Sequence, residues 1–188
     1  MIGGEGFIAR IVAKLQAANV PYMLTGSVAS SYHGIPRTTH DVDFVIDPNP
    51  VVLGEFVKSL PVAEYYVDPS SAMEAFALRS QFNVIDQQTG WKADFIIKKD
   101  RPFSKTEFER RCPGSVMGVR AFVTSREDSI LSKMEWAAKS GSERQLRDVM
   151  GVMSVGDELD ERYIERWVKH LDLQKQWDQV RHSGGSPN

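Results

Sequence analysis

Cysteine is nearly absent from this sequence. One thiol, Cys112, in 188 residues leaves no partner for an internal disulfide, which removes the disulfide-stapled secreted scaffold from consideration. No His or Asn signature accompanies Cys112, so it reads as a buried or neutral residue rather than a nucleophile. Long hydrophobic runs are missing too. None approaches the roughly 20 residues of a membrane span, and residues 1–22 lack the charged-then-apolar pattern of a leader. No membrane partner is expected, and the cytoplasm is the expected location. Charge of one sign is also lacking. Lys and Arg number 23 against 25 Asp and Glu, a net charge of −2, so no global basic field draws the chain to long duplex nucleic acid. Histidines number four, and His33 and His40 have no third His or Cys at zinc-ligand spacing. They read as helix-end or supporting residues.

What remains is an ordinary globular composition, 41% hydrophobic and 26% charged, sized for one compact domain with a small helical addition. Phe7, Ile8, Ile11, Val12 and Leu15 form a helical stripe ended by Asn19 and Pro21. Residues 22–25 predict a short strand. Gly26-Ser27 then opens a short helix stopped by Gly34 and Pro36. Residues 40–47 predict a strand closed by Pro48 and Pro50, 51–61 a helix, 63–67 a strand, and 70–80 a helix beginning on serine. Residues 82–99 predict a hairpin around Gln-Gln-Thr-Gly, with Gly90 supplying the turn. A helix with Pro102 in its first turn and a strand over 118–125 follow. Beyond Ser125 the pattern is all helical, in three runs. Strands and helices do not alternate regularly, so the predicted class is α+β, a mixed sheet flanked by helices. The expected division is an α/β core over 1–124, a helical part over 125–181 packed on it, and a disordered tail over 182–188.

Two aspartates interrupt the strand "HDVDFVID". Side chains alternate along a strand, so Asp41 and Asp43 share a face while Val42 and Phe44 occupy the other. An ionised carboxylate is costly to bury without a partner. The alternative is an edge strand whose aspartates face water. Asp94, set among Ala93, Phe95, Ile96 and Ile97, raises the same demand. Should its strand lie beside residues 41–46, three carboxylates gather. Oxygen-only ligands suit Mg²⁺ or Mn²⁺, and such a metal can activate an attacking oxygen and stabilise a leaving one.

The Gly26-Ser27 turn adds a phosphate site. Glycine permits close approach, the following helix presents free N–H groups to an anion, and Ser27 offers a hydroxyl. Arg37, just before the aspartates, steadies a phosphate or pairs with a carboxylate; both readings stand.

At these residues the sequence resembles the nucleotidyltransferase superfamily typified by DNA polymerase beta: strand, Gly-Ser, short helix, Asp-x-Asp, then a third Asp on a later strand. Within it, "GSVASSYHGIPRTTHDVDFVID" resembles the AbiEii-type bacterial toxins. The likeness is close over roughly residues 20–100 and looser to about 155. It implies the nucleotidyltransferase fold and transfer of a nucleoside monophosphate from an NTP to an acceptor hydroxyl, with release of pyrophosphate. Gly26 and Ser27 would hold the triphosphate. Asp41, Asp43 and Asp94 would hold Mg²⁺ (or Mn²⁺), and Asp94 would help deprotonate the acceptor. Lys133 would meet phosphate charge, with Asp148 and Arg37 completing the nucleotide site. Implied partners are the NTP, an acceptor that is a tRNA-like RNA end, a protein or a small molecule, and, for a toxin, a cognate antitoxin.

Plainer readings stand beside these. Arg144 and Asp148 are spaced as a surface pair, and Lys133 reads equally well as solvated. Trp136, Trp167 and Trp177 fall at helical spacing and read as packing residues. Lys98, Lys99, Arg101 and Lys105 could line an RNA groove, but a solvated charge run is the simpler account. The competing function is a non-catalytic nucleotide-binding or protein-interaction module on the same fold.

Overall fold

The computed structural model describes residues 3–156 and 158–183. In chain order its elements are α1 (Gly4–Ala17), β1 (Tyr22–Thr25), α2 (Gly26–His33), β2 (Asp41–Ile46), α3 (Pro50–Lys58), β3 (Tyr65–Tyr66), α4 (Pro69–Leu78), β4 (Gln81–Asp86), β5 (Lys92–Ile97), α5 (Pro102–Glu109), β6 (Cys112–Val116), β7 (Val119–Val123), α6 (Arg126–Ser140), α7 (Glu143–Met153), α8 (Glu161–His170) and α9 (Gln174–Ser183). They fall into two compact units, one of residues 1–28 and 38–124, the other of 29–37 and 125–188.

The first unit is built on a seven-stranded sheet in the order β3-β4-β5-β2-β1-β7-β6. It is mixed: β5 runs parallel to β2 and β7 parallel to β1, while every other pairing is antiparallel. One face carries the core. Val42, Phe44 and Ile46 alternate inward on β2, and Ala93, Phe95 and Ile97 do so on β5. Phe95 stacks on Phe44 at 5.4 Å and on Phe82 at 5.2 Å, and takes the edge of Phe56 from α3 at 5.2 Å. Each such pair contributes about 0.5–1.5 kcal/mol beyond its buried area. The stripe read on α1 is buried throughout, and its chain turns out through Asn19 at a φ of +53°, a conformation asparagine tolerates.

The β4–β5 hairpin forms as its turn chemistry requires. Gly90 takes a φ of +72° and donates its N–H to Asp86 O at 2.9 Å. Asp86 itself is buried and accepts the N–H groups of Gln88 and Thr89. Arg10 on α1 closes the arrangement with an ion pair to Asp86 and a 2.9 Å bond to the Tyr65 hydroxyl. Pro50, read as a strand stop, is also the first residue of α3, where its missing N–H costs nothing. Asn49 caps that helix by accepting from Val51 N and Val52 N, both at 3.0 Å.

Several boundaries differ from expectation. α4 starts at Pro69, not on serine, because Asp68 caps it and accepts from Ser70 N. β6 was not expected, since Pro113 and Gly114 are poor strand formers. It exists as an edge strand paired only with β7, the position where proline is tolerated. Cys112, at its start, is exposed rather than buried.

The second unit is helical. Ser125 caps α6, accepting the N–H of Asp128. Asp128 is fully buried and takes hydrogen bonds from the hydroxyls of Ser125 and Tyr163. The run read as one long final helix is two, α8 and α9, because Asp172 turns left-handed at a φ of +55° and Leu173 is buried. Trp167 and Trp177 pack inside as expected, whereas Trp136 is 57% exposed. α9 runs to Ser183, and the rest of the expected tail lies outside the described residues.

Candidate functional site

β1 hands the chain to α2 at Gly26, and the handover needs glycine for two reasons. Its φ is +64°, and a Cβ there would lie 1.8 Å from Asp43 Oδ2. The Asp43 carboxylate therefore lies directly against the first turn of α2, where helix N–H groups are left over by the backbone ladder. Ser27 follows, half-buried.

Strand register supplies the neighbours. Asp43 is paired with Thr25 on β1 and with Asp94 on β5, and Asp94 with Asn83 on β4. Paired residues share a face, so one row of polar side chains crosses four strands on the side opposite the Phe44–Phe95 core. In the next row Asp41 is paired with Lys92. The strand β5 thus lies beside β2, as three gathered carboxylates require, and Asp41, Asp43 and Asp94 occupy the same face.

Lys92 was not among the expected site residues. Its ammonium reaches Asp94 Oδ2 at 2.9 Å and Asp41 Oδ1 at 3.6 Å. The hydrogen bond to Asp94 raises the Lys92 pKa; partial burial pulls the other way, and the charges of Asp94 and Asp41 add to the rise. The signal for it was local: Lys92 precedes Asp94 by two residues, the spacing that puts both on one face.

The donor set, carboxylate oxygens without sulfur or imidazole, suits Mg²⁺ or Mn²⁺, and the paired register places the donors side by side. In kind and in position on the sheet the three aspartates fit such an ion. Asp94 meets Lys92, and Asp43 lies against Gly26. Among the described residues, no three His, Cys, Asp or Glu side chains stand as a ready metal-holding group.

The second unit has its own charged cluster. Lys133 on α6 lies 2.6 Å from Asp148 Oδ2 on α7, and Arg37 Nε lies 3.3 Å from Asp148 Oδ1. The side chains of Lys133 and Asp148 are only 6% and 9% exposed, so the solvated reading of Lys133 fails. Asp148 serves these two cations rather than Arg144, and Arg147 pairs instead with Glu143 at 3.9 Å. Arg37 takes its carboxylate-pairing role here. Gly34 fits this unit because a Cβ on it would lie 2.6 Å from Gly151 O on α7.

The basic run after β5 is largely paired off. Lys98 binds Asp47 and Lys105 binds Asp100, each at 2.5 Å, and Arg101 donates to Ser104 Oγ at 2.9 Å. His40 packs against Trp91 at 5.3 Å and His33 against Tyr32 at 4.9 Å, consistent with supporting roles.

No protein-family description and no curated protein matches this chain. Solved structures do match it. An antigenic nucleotidyltransferase-like protein from Paracoccidioides brasiliensis is similar at a TM-score of 0.58 and 16% identity, covering 93% of this chain and 88% of that one. This is a nucleotidyltransferase fold. The same fold is shared with ANT(2")-Ia in complex with adenylyl-2"-tobramycin, at a TM-score of 0.58 and 14% identity over 90% of this chain and 97% of that one. It is shared also with the lincosamide antibiotic adenylyltransferase LnuA, lincomycin-bound, at 0.55 and 13% over 82% and 99%. At these identities the likeness is one of fold.

Proposed function

We propose that this chain transfers a nucleoside monophosphate from an NTP to the hydroxyl of a small-molecule acceptor. The observation that carries the reading is the seating of Asp43 against Gly26, with Asp94 beside it in register. An anion-binding helix start and adjacent carboxylates are what phosphoryl transfer requires. Gly26 and Ser27 bind the triphosphate through the opening N–H groups of α2 and the Ser27 hydroxyl. Asp41, Asp43 and Asp94 would hold Mg²⁺, or Mn²⁺, which when bound would neutralise phosphate charge and activate the attacking oxygen. The acceptor oxygen bonds to the α-phosphorus, the bridging P–O bond to the β-phosphate breaks, and pyrophosphate leaves. Asp94 takes the acceptor's proton. Lys133 and Arg37, which the sequence resemblance assigns to phosphate charge, are paired with Asp148 within the second unit.

The small-molecule acceptor is supported by two fold neighbours, one holding an adenylylated tobramycin and one holding lincomycin. The net charge of −2 and the pairing of Lys98 and Lys105 with aspartates weigh against an RNA groove. An RNA or protein acceptor, a toxin role with a cognate antitoxin, and a cytoplasmic location rest on the sequence resemblance and sequence pattern alone. Among the described residues no helix is long and apolar enough to cross a membrane.

A second reading, a non-catalytic nucleotide-binding module, is favoured by one observation: Lys92 already bridges Asp41 and Asp94. The experiment that separates the two is incubation with each labelled NTP and Mg²⁺ in the presence of hydroxyl-bearing small molecules, total RNA or protein, following label transfer and pyrophosphate. Transfer that falls to background in Asp43→Asn, with the fold intact by circular dichroism, supports the enzyme. Undiminished transfer in that variant removes the metal role of Asp43. NTP binding without transfer to any acceptor supports the module.

A further inference from the structure

We propose that Lys92 is a built-in counter-cation of the acidic face, a side chain that stands in for the divalent ion and must be displaced when the ion binds. The inference rests on the reading of Asp41, Asp43 and Asp94 as the metal-holding residues. It starts from register. Lys92 is paired with Asp41 across β2 and β5, and precedes Asp94 by two positions on its own strand. Both relations put its side chain on the carboxylate face. Its ammonium spans the two, 2.9 Å from Asp94 and 3.6 Å from Asp41.

This part of the face carries the carboxylates of Asp41 and Asp43 from β2 and of Asp94 from β5, with the Lys92 ammonium between Asp41 and Asp94. β4 contributes neutral Asn83 and Ile85 to the same rows, and β1 contributes Thr25. Like charges gathered on a half-buried face repel. A single ammonium between two of them relieves this without closing the site, because the Lys92 side chain is 33% exposed and its flexible stem can swing toward solvent. Asp94, 16% exposed, keeps a cation partner in either state. A divalent ion held by Asp41 and Asp94 would lie within a few ångströms of this ammonium, a costly approach of like charges on a half-buried face, so ion and ammonium compete. The affinity of the face for a divalent ion is therefore set partly by Lys92, and the resting chain is held in a form with low metal affinity.

The test is calorimetric titration of the full-length protein with MnCl₂, without nucleotide, in four forms: wild type, Lys92→Met, Lys92→Arg and Asp43→Asn. The expected result is Mn²⁺ binding about tenfold tighter in Lys92→Met, wild-type affinity in Lys92→Arg, and weakened binding in Asp43→Asn. Equal affinity in wild type and Lys92→Met overturns the counter-cation role while leaving the metal site standing, and makes Lys92 a cross-strand pair only. No Mn²⁺ binding in wild type or Lys92→Met overturns both. Should Lys92→Met fold poorly, thermal melts of Lys92→Gln carry the same test. A larger Mn²⁺-induced rise in Tm than in wild type supports the proposal, and an equal or smaller rise overturns it.

Discussion

Gly26 shows how much one residue decides here. A left-handed backbone and an oxygen 1.8 Å from the Cβ site both forbid a larger side chain. Gly26→Ala is expected to cost about 1–2 kcal/mol from the backbone alone, with more from displacing Asp43, and to lose NTP binding; urea unfolding and nucleotide titration check the two effects. Asp86 matters for stability instead. Burial pushes its carboxyl up most strongly, but the N–H groups of Gln88 and Thr89, the Thr89 hydroxyl and the Arg10 charge outweigh that and hold its pKa below the ordinary value. A depressed folded pKa means stability that is present at neutral pH and fades as pH falls through it. Asp86→Asn should lower stability by about 1.5–3 kcal/mol near pH 7 and flatten its decline in acid, read from urea midpoints at a series of pH values. The sequence pointed to Gly26 because glycine before a helix is a local signal. Asp86 carries no such local signal, because its partner Arg10 lies 76 positions away.

At the scale of elements, α6 and α7 are tied by Lys133 and Asp148. Removing one partner leaves a buried charge unanswered, so Asp148→Ala should destabilise the helical unit by about 3–5 kcal/mol. A double variant, Lys133→Met with Asp148→Leu, should recover the part of the loss due to Lys133 but not the part due to Arg37, which also loses its carboxylate, in the same denaturation experiment. The α8–α9 break offers the opposite test. Asp172 sits left-handed and exposed, and Asp172→Gly should raise stability by about 0.5–1 kcal/mol, seen as a higher Tm. Most elements were legible because their signals are periodic: the stripe of α1, the alternation of β2 and β5, the glycine turn of the hairpin. β6 was not. Cys-Pro-Gly-Ser-Val has little strand propensity to read, with Pro113 and Gly114 at its centre, and its ladder is lent by β7. The α8–α9 break was hidden because charged helix formers run across it, and the turn answers to the burial of Leu173.

For the whole molecule the proposal predicts linkage. A ligand at about a hundred times its Kd adds about 2.7 kcal/mol to unfolding free energy. Saturating Mg²⁺ and the preferred NTP should therefore raise the Tm, EDTA should reverse the metal-dependent part, and Asp43→Asn should show little of either, all measurable by scanning calorimetry. The sequence by itself determined the α+β class, the mixed character of the sheet, and the sharing of one face by Asp41 and Asp43. Those follow from periods of two and 3.6 residues, which are properties of neighbouring residues. Only the tertiary structure decided that β5 lies parallel to β2, which sets Asp94 beside Asp43 and Lys92 beside Asp41. It alone decided that Arg37 meets Asp148, 111 residues on. Pairings across such distances depend on which strands and helices find each other, and no local pattern encodes that choice.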